Sequence, residues 1–581
     1  MVRAMQLEPP VPRARANLSG GDVGGVARMK SPVRMRPARF FATKGIRNVA
    51  IPRKLYFPSY VPADLTRGQS RALLYRGSRF VLAPALAFVV ACGATLPKPT
   101  EPGPVDLSVA QRGDQTASEP LAAEPKRSAD PERAELVEWL RTKLPPGGEI
   151  IDSVGKPVGL AHVLRNGDSL PAIAEAYVEL TDIYLPRELS KAIQKENPNF
   201  RPAAPSPGER IVIPSVVKRA PKGADDERIG WPEDKHLRGV YVRGGTAGGS
   251  LYMPLLDRMA ERGMNMIVLD SKDYDGLLTY QSKVPLAVET GAAKKAPIRD
   301  MARTVRFAHA KGIRVAMRVS CFEDEFIAHA KPDLVPRADW APGRAYQIGW
   351  LDPANPEARG YIKDLVKEAL DFGVDEIQLD YVRYPVLGVK HADFDATKGK
   401  TPKTIVIRDF VREVHALTQA RSVPLSLDIF GIVAEGVRAD IDALGQDPVL
   451  LAPECEVLSP MVYPSHYHAG YAGFEVPGNH PEIVGMATRK ILAMLKHGKK
   501  NAIIRPWLQA ASWNSPEYGP QYIASEVKSA IGAGSHGWLM WNPAQTYTVT
   551  WQALPPIERK KAAAQNSGGS GGDVVQTAQA D

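Results

Sequence analysis

The order of apolar and polar residues predicts alternating strands and helices over the C-terminal half of the chain. Short, largely apolar runs that end in polar residues alternate with longer runs that carry apolar residues at helical spacing. The runs interpreted as strands are residues 239–243, 264–270, 313–320, 374–381, 424–431, 457–463, 502–509 and 537–542. The clearest helical runs are residues 251–262, 298–311, 357–371, 406–419 and 483–497. Repeated strand–helix units of this kind predict an α/β fold, a (β/α)8 barrel of the TIM type over residues 237–555.

A doubly wound parallel sheet is the alternative arrangement for the same pattern. Many such folds hold a nucleotide at a glycine-rich loop, and the nearest string of that kind lies at residues 244–249. It lacks the lysine and the serine or threonine that a phosphate-binding loop requires. We therefore favour the barrel and expect no cofactor.

A smaller pattern precedes the barrel at residues 157–217. A short apolar run leads into Gly167, Asp168 and Ser169, and either of the last two side chains can cap a following helix. A second helical run ends at Asn197 and Pro198, and another apolar run comes after a Pro-Gly turn. The pattern predicts a small α+β module, and residues 218–236 are interpreted as a charged linker to the barrel.

This module resembles the LysM domain, a βααβ unit that binds N-acetylglucosamine chains of peptidoglycan or chitin. The Gly-Asp-Ser, Asn-Pro and Ile-Pro positions fit that family, whereas the stretch over residues 178–187 is longer than the family pattern. The resemblance implies a carbohydrate-binding module.

The N-terminal part of the chain predicts export. Arg71, Arg76 and Arg79 precede an apolar run over residues 80–91, which is too short to span a bilayer and is followed by Cys92. The ending resembles a bacterial lipoprotein signal, which implies lipidation of Cys92. Residues 1–79 are interpreted as disordered or as a mis-assigned extension, residues 93–135 as a flexible tether, and residues 560–581 as a disordered tail.

Charge and cysteine content exclude several classes of function. The formal net charge is +10, but residues 1–91 alone carry 16 Lys/Arg against 3 Asp/Glu, so the rest of the chain is slightly acidic. No basic stripe with interleaved aromatics is visible, and we expect no nucleic-acid partner. Three cysteines without metal-ligand spacing predict neither a disulfide framework nor a zinc site.

Charged and polar side chains gather where the predicted strands end. Asp380 ends the fourth strand, and Arg383 follows it as a positive group that favours the ionised carboxylate. Asp380 is thus a candidate catalytic carboxylate, and Asp428 lies within the end of the fifth strand. The residues interpreted as substrate-binding are Asp270, Asp273, Asp324, Arg383, Tyr463, His466, Trp507, Gln509, Trp541 and Asn542. Because the carboxyl ends of barrel strands meet at one face, this set predicts a site for glycosidic-bond cleavage.

Residues 239–248, 269–276, 375–385 and 459–467 resemble a bacterial family of glycoside hydrolases of undefined substrate, related to the α-amylase superfamily. The resemblance covers about residues 237–551. It implies that Asp380 takes the position of the nucleophile and that Asp428 takes the acid/base role.

Three departures from the amylase pattern leave alternatives open. Asp428 stands where amylases carry a glutamate, Gln378 stands in place of an arginine, and no acid lies near Gln509. Asp428 is therefore equally interpretable as a supporting residue, with Asp270 or Asp324 as the acid.

The whole pattern predicts an exported glycoside hydrolase of the cell envelope, periplasmic or at the outer membrane. The expected partners are a polysaccharide, peptidoglycan or another glycan, and the membrane through the lipid on Cys92. The alternative is a non-catalytic carbohydrate-binding scaffold whose barrel is inactive. A metal-dependent deacetylase using His466 and His468 is a third idea, but the histidines lie in a loop without a partner motif, so we expect no metal.

Overall fold

The computed structural model describes residues 130–394 and 401–556. The predicted signal with Cys92, the extension over residues 1–79, most of the predicted tether and the C-terminal tail lie outside the described residues.

The N-terminal module contains a three-stranded antiparallel sheet with its helices. Its strands and helices are α1 (Pro131–Lys143), β1 (Gly148–Ile151), β2 (Gly159–Val163), α2 (Leu170–Tyr177), α3 (Pro186–Glu196) and β3 (Arg210–Ile213). Strand β2 pairs with both β1 and β3, so β2, α2, α3 and β3 form a βααβ unit. Ser169 caps α2 by accepting a hydrogen bond from the Ala172 N–H. The other capping candidate, Asp168, binds the buried His162 ring instead, at 2.9 Å.

The module begins earlier in the chain than the pattern at residues 157–217 indicated. Helix α1 starts at Pro131, inside the segment interpreted as a tether, and is capped by Asp130. It buries Leu136, Val137 and Leu140 in the core of the module.

Eight parallel strands close into a barrel, which confirms the predicted TIM-type fold. The barrel strands are β4 (Leu237–Val242), β5 (Met266–Lys272), β6 (Arg314–Ser320), β9 (Glu376–Asp380), β11 (Leu425–Phe430), β12 (Val457–Met461), β13 (Ile503–Ile504) with β14 (Trp507–Gln509), and β15 (Gly537–Trp541). Each strand pairs with the next along the chain, and β15 pairs back with β4. The strands are apolar because both faces are covered, one by the barrel interior and one by helices.

The seventh strand is divided into two short pieces. Arg505 and Pro506 separate β13 from β14, because a proline has no N–H to give to a neighbouring strand. The apolar run over residues 502–509 therefore forms two strands rather than one.

Helices cover the outside of the barrel. They are α4 (Ala224–Glu227), α5 (Gly244–Ala247), α6 (Tyr252–Glu261), α7 (Pro285–Thr290), α8 (Met301–His309), α9 (Glu325–Ala330), α10 (Pro356–Leu370), α11 (Lys403–Gln419), α12 (Arg438–Leu444), α13 (Pro448–Leu451), α14 (Glu482–His497), α15 (Pro520–Gly532) and α16 (Thr548–Ala553). Their buried faces and the barrel strands share one continuous apolar core. Within residues 130–394 and 401–556, every helix is too short or too polar to cross a membrane.

The segment interpreted as a charged linker is bound to the amino-terminal face of the barrel. The Arg228 guanidinium donates to the carbonyls of Val374, Leu370 and Arg421. The Trp231 ring lies over Arg505, with the guanidinium carbon 5.8 Å from the ring centroid. Residues 218–236 thus form a strap across this face.

A small antiparallel sheet is built by two loops that follow adjacent barrel strands. It contains β7 (Arg337–Ala338) and β8 (Ala341–Ala345), which come after β6, and β10 (Ala392–Asp393), which comes after β9. Both loops leave from carboxyl ends of strands, so this small sheet belongs to the carboxyl-terminal face of the barrel.

Candidate active site

Asp380 is the last residue of β9 and keeps 5 % of its surface exposed. Its Oδ2 accepts hydrogen bonds from Arg318 Nε at 3.0 Å and Nη2 at 2.7 Å. Its Oδ1 accepts the N–H of Tyr381 at 2.6 Å. Tyr381 has φ of +49°, a left-handed conformation that is unfavourable for a tyrosine. Strained backbone conformations of this kind concentrate at functional sites. Here the conformation directs the Tyr381 N–H toward the Asp380 carboxylate.

The same arginine binds a second carboxylate, Asp270 at the end of β5. Arg318 Nη1 donates to Asp270 Oδ1 at 2.6 Å, and the Tyr241 hydroxyl donates to Asp270 Oδ2. Burial raises the pKa of Asp270 to about 7, an effect that the Arg318 charge opposes. Both oxygens of Asp270 are therefore occupied. Asp273 is more distant, with its Oδ1 3.8 Å from Arg318 Nη1.

Asp428 lies within β11 and is almost completely buried. Its Oδ1 accepts hydrogen bonds from Trp507 Nε1 at 2.6 Å and from Gln378 Nε2 at 2.5 Å. Its Oδ2 is buried and has no hydrogen-bond partner in the structure. Burial, and then the charge of Asp380, raise the pKa of Asp428 well above its usual range. The site thus pairs an arginine-bound carboxylate with a carboxyl group that favours its neutral form.

Aromatic rings lie beside these carboxylates at the carboxyl-terminal opening of the barrel, here called the barrel mouth. The Trp541 ring stacks on Tyr241 with centroids 4.1 Å apart and meets Trp507 edge to face at 5.6 Å. Tyr463 and His466 pack together with Trp513, a residue that the pattern analysis did not identify. Burial lowers the pKa of His466 to about 4, so its ring is neutral and can exchange hydrogen bonds without carrying charge.

Residues 239–547, more than half of the chain, match a family described as "Putative glycosyl hydrolase domain". The chain belongs to this family. The matched domain contains the side chains of this site from Tyr241 to Trp541.

Several solved structures are similar to the chain. A hypothetical protein from Ruminiclostridium thermocellum is 30% identical, with 32% of this chain and 96% of that chain covered and a TM-score of 0.30. The spore cortex-lytic enzyme SleL from Bacillus megaterium is 11% identical, with 68% and 96% covered and a TM-score of 0.34. Alpha-L-fucosidase isoenzyme 2 from Paenibacillus thiaminolyticus is 14% identical, with 55% and 49% covered and a TM-score of 0.36. No curated protein matches the sequence.

Two of the residues predicted to bind substrate are held by other protein groups. Asp324 is fully buried, pairs with Lys272 at 2.9 Å and caps α9 by accepting the Ile327 N–H at 2.7 Å. Asn542 donates to the carbonyls of Ala510 and Thr546, and so braces a loop. Both side chains are satisfied by protein groups, because each closes a turn that begins where a strand ends.

Arg383 and Gln509 are also placed differently from the prediction. Arg383 is buried, with its guanidinium over the Phe430 ring at 4.2 Å and the Trp350 ring at 4.7 Å. The cation that binds Asp380 is Arg318, not Arg383. Gln509 is fully buried, where its Oε1 accepts the Ser465 N–H at 3.1 Å and its Nε2 donates to Ala511 and Ser515.

The sequence pattern assigned no site role to Arg318, Gln378 or Tyr241, which hold the three carboxylates. The signal for Arg318 was available, because a charged residue in the middle of an apolar barrel strand requires a buried partner. Gln378 was noted only as a departure from the amylase pattern. Across the described ranges, no three His, Cys, Asp or Glu side chains are grouped as a metal site would need.

Proposed function

We propose that the hydrolase domain cleaves O-glycosidic bonds of a polysaccharide, with Asp380 as nucleophile and Asp428 as general acid. The observation that supports this assignment is the contrast between the two carboxyl groups. Asp380 is bound to the Arg318 guanidinium, and its negative charge helps to keep Asp428 protonated. Glycosidases rely on such a pair, one group ionised and one neutral.

In this proposal Asp428 protonates the leaving oxygen through Oδ2. Its Oδ1 is fixed by Trp507 and Gln378, which leaves Oδ2 as the oxygen without a protein partner. Asp380 attacks the anomeric carbon as the glycosidic bond breaks, and the product is a glycosyl ester. Asp428, now ionised, takes a proton from water, which attacks that ester and releases Asp380.

Asp270 is a weaker candidate for the acid, although burial raises its pKa to about 7. Both its oxygens already accept hydrogen bonds, from Arg318 and from Tyr241. A proton on either oxygen would compete with these donors. Asp270 is better suited to holding Arg318 in place.

We also propose that the substrate is a polymer of the cell envelope or extracellular space, such as peptidoglycan. The support comes mainly from the sequence, from the signal-like run ending at Cys92 and the LysM-like spacing at residues 157–217. The structure adds that β2, α2, α3 and β3 have the βααβ order expected of such a module. A module bound to the polymer would raise the local concentration of substrate at the barrel.

The decisive experiment compares purified wild-type protein with Asp380→Asn and Asp428→Asn on peptidoglycan, chitin and α-glucans, with new reducing ends as readout. We expect product from wild type and losses of at least about 100-fold in both variants. Asp364→Asn is the matched control, because Asp364 is a half-buried carboxylate on α10, outside the site, that pairs with Lys367. Binding without product from any protein would instead support the scaffold alternative, and equal product from wild type and Asp380→Asn would refute the nucleophile assignment.

A further inference from the structure

The small sheet of β7, β8 and β10 carries an aromatic residue that the proposed reaction does not use. Trp340 lies in the turn between β7 and β8 and is 56% exposed. Across the described ranges, it is the one aromatic side chain with more than half of its surface exposed. A single exposed apolar side chain is ordinary on a protein surface. Trp340 is distinguished by its position in the small sheet on the carboxyl-terminal face of the barrel, the face that carries the candidate carboxylates.

The Trp340 ring is held in place although it is exposed. The Tyr346 ring meets it at 88° with centroids 5.4 Å apart, and the His391 ring meets it at 81° and 5.2 Å. His391 is itself fixed, because its Nδ1 lies 3.1 Å from Asp339 Oδ2 and its carbonyl accepts the Asp339 N–H. A ring that is already fixed loses little conformational entropy when a ligand packs against it.

The loop that carries Trp340 also contacts the chain next to Asp380. After β8 the chain reaches Trp350, which forms a β-bridge with Glu323 and packs over the buried Arg383. The Trp350 ring meets that of Tyr381, the residue after Asp380, with centroids 6.0 Å apart. The sheet and the carboxylates therefore belong to the same face of the barrel, and the segment that follows β8 packs against Tyr381, next to Asp380.

We propose that Trp340 is a stacking platform for one sugar ring of the polymer, at a subsite distant from the bond that is cleaved. The C–H groups on the face of a pyranose pack well on an indole, and such aromatic contacts are typical of sugar recognition. The platform rests on the proposed function and adds to it a preference for long chains over short ones. On this proposal a short substrate contacts the site at Asp380 alone, whereas a long chain contacts both Asp380 and Trp340.

The test measures kcat/KM for Trp340→Ala on a long polysaccharide and on a short aryl glycoside of the same sugar. We expect the ratio of long-chain to short-chain kcat/KM to fall about tenfold, and Trp340→Phe to recover part of it. Ile531→Ala is the control, because Ile531 is an exposed apolar residue on α15. An unchanged ratio in Trp340→Ala, with thermal stability like that of wild type, would overturn the platform.

Binding separates this inference from the proposed function. In the Asp380→Asn background, Trp340→Ala should weaken calorimetric binding of the long chain about tenfold. If wild type binds the chain without cleaving it and Trp340→Ala weakens that binding, the platform stands and the hydrolase assignment fails. If binding is equal with and without Trp340, the platform is refuted whether or not the domain cleaves the chain.

Discussion

Arg318 determines the charge balance of the barrel mouth. It is 1% exposed, and its guanidinium contacts two carboxylates that would otherwise be buried without a cation, Asp270 and Asp380. An arginine suits this position because its planar fork can donate to two acceptors at once. The carboxylates and Arg318 are therefore one unit, and no member can be changed alone without cost.

Replacing Arg318 by methionine should reduce the free energy of unfolding by about 3–5 kcal/mol, because the remaining charges stay buried and unpaired. Arg318→Lys keeps a positive charge but loses the planar guanidinium that donates to two carboxylates. Compared with Arg318→Met, it should therefore regain part of the stability and little of the activity. Urea unfolding measures both effects. Arg314→Met, at the other end of β6, is the control, since Arg314 donates mainly to backbone carbonyls. A loss in Arg318→Met no larger than in this control would contradict the argument.

The contribution of Asp428 to stability should depend on pH whether or not the domain is active. Its pKa is raised in the folded protein, so between the unfolded value near 4 and the folded value the folded state binds more protons. Stability from this group is thus complete below about pH 4 and is lost as the pH rises toward the folded pKa. Asp428→Asn carries no charge, so its unfolding free energy relative to wild type should increase from pH 5 to pH 8. Denaturant unfolding at the two pH values measures this change, and a difference that stays constant or decreases would show that Asp428 is not held neutral.

At the scale of elements, the strand bounds predicted from the sequence lie within two residues of the observed ones for all barrel strands except the seventh. The barrel strands are buried on both faces, so each appears in the sequence as a nearly continuous apolar run that is easily recognised. The small sheet was not predicted, since strands such as β7 and β10 are two residues long and carry no periodicity. Their pairing depends on loops that meet only after the barrel has formed.

Side-chain partners across the barrel were the least predictable part of the site. Sequence spacing suggested Arg383 as the positively charged partner of Asp380. The side chains of successive strand and loop residues point in different directions, however, so closeness in sequence does not imply contact. Arg318 comes from the neighbouring strand, 62 positions earlier, in register with Gln378. Such a contact is a property of the sheet and is not visible in local sequence.

The strap over residues 218–236 depends on Asp375, which precedes β9 and is 2% exposed. Its Oδ1 accepts the N–H groups of Ile229 and Gly230, and its Oδ2 accepts the N–H of Val315. One carboxylate thus joins the strap to the amino-terminal face of the barrel.

Asp375→Ala should reduce the free energy of unfolding by at least about 3 kcal/mol, because three backbone donors lose their acceptor. Hydrogen exchange at residues 229–230 should become faster in the same variant. Asp371→Ala is the matched control, since Asp371 is exposed and pairs with Arg421 on the surface, which is worth less than about 1 kcal/mol. Unchanged exchange at residues 229–230 would mean that the strap is held by other contacts.

At the scale of the whole molecule, the module is packed against the barrel. Residues 178–187, the stretch that is longer than the LysM pattern, make several of these contacts. The Tyr184 hydroxyl donates to the Ala247 carbonyl at 2.6 Å, and Arg303 of α8 donates to the carbonyls of Tyr184, Val178, Thr181 and Ile183. Burial lowers the pKa of Arg303 to about 10, so it stays charged at neutral pH, with its charge satisfied by backbone oxygens.

This contact predicts that module and barrel unfold together. Wild type should show one calorimetric transition for residues 130–556, and Arg303→Ala should show two, with the module unfolding first, because several charge-assisted hydrogen bonds worth about 1.5–3 kcal/mol each are lost. Arg299→Ala removes an arginine one turn away that pairs with Glu175 while 45% exposed, and it should keep the single transition. Two transitions in wild type would contradict this prediction, and so would a single transition at the wild-type temperature in Arg303→Ala. Either result would show that the Arg303 contact is too weak to couple the unfolding of the module and the barrel. If the coupling holds, the module and the barrel keep a fixed relative orientation, and residues 178–187 supply contacts that help to fix it.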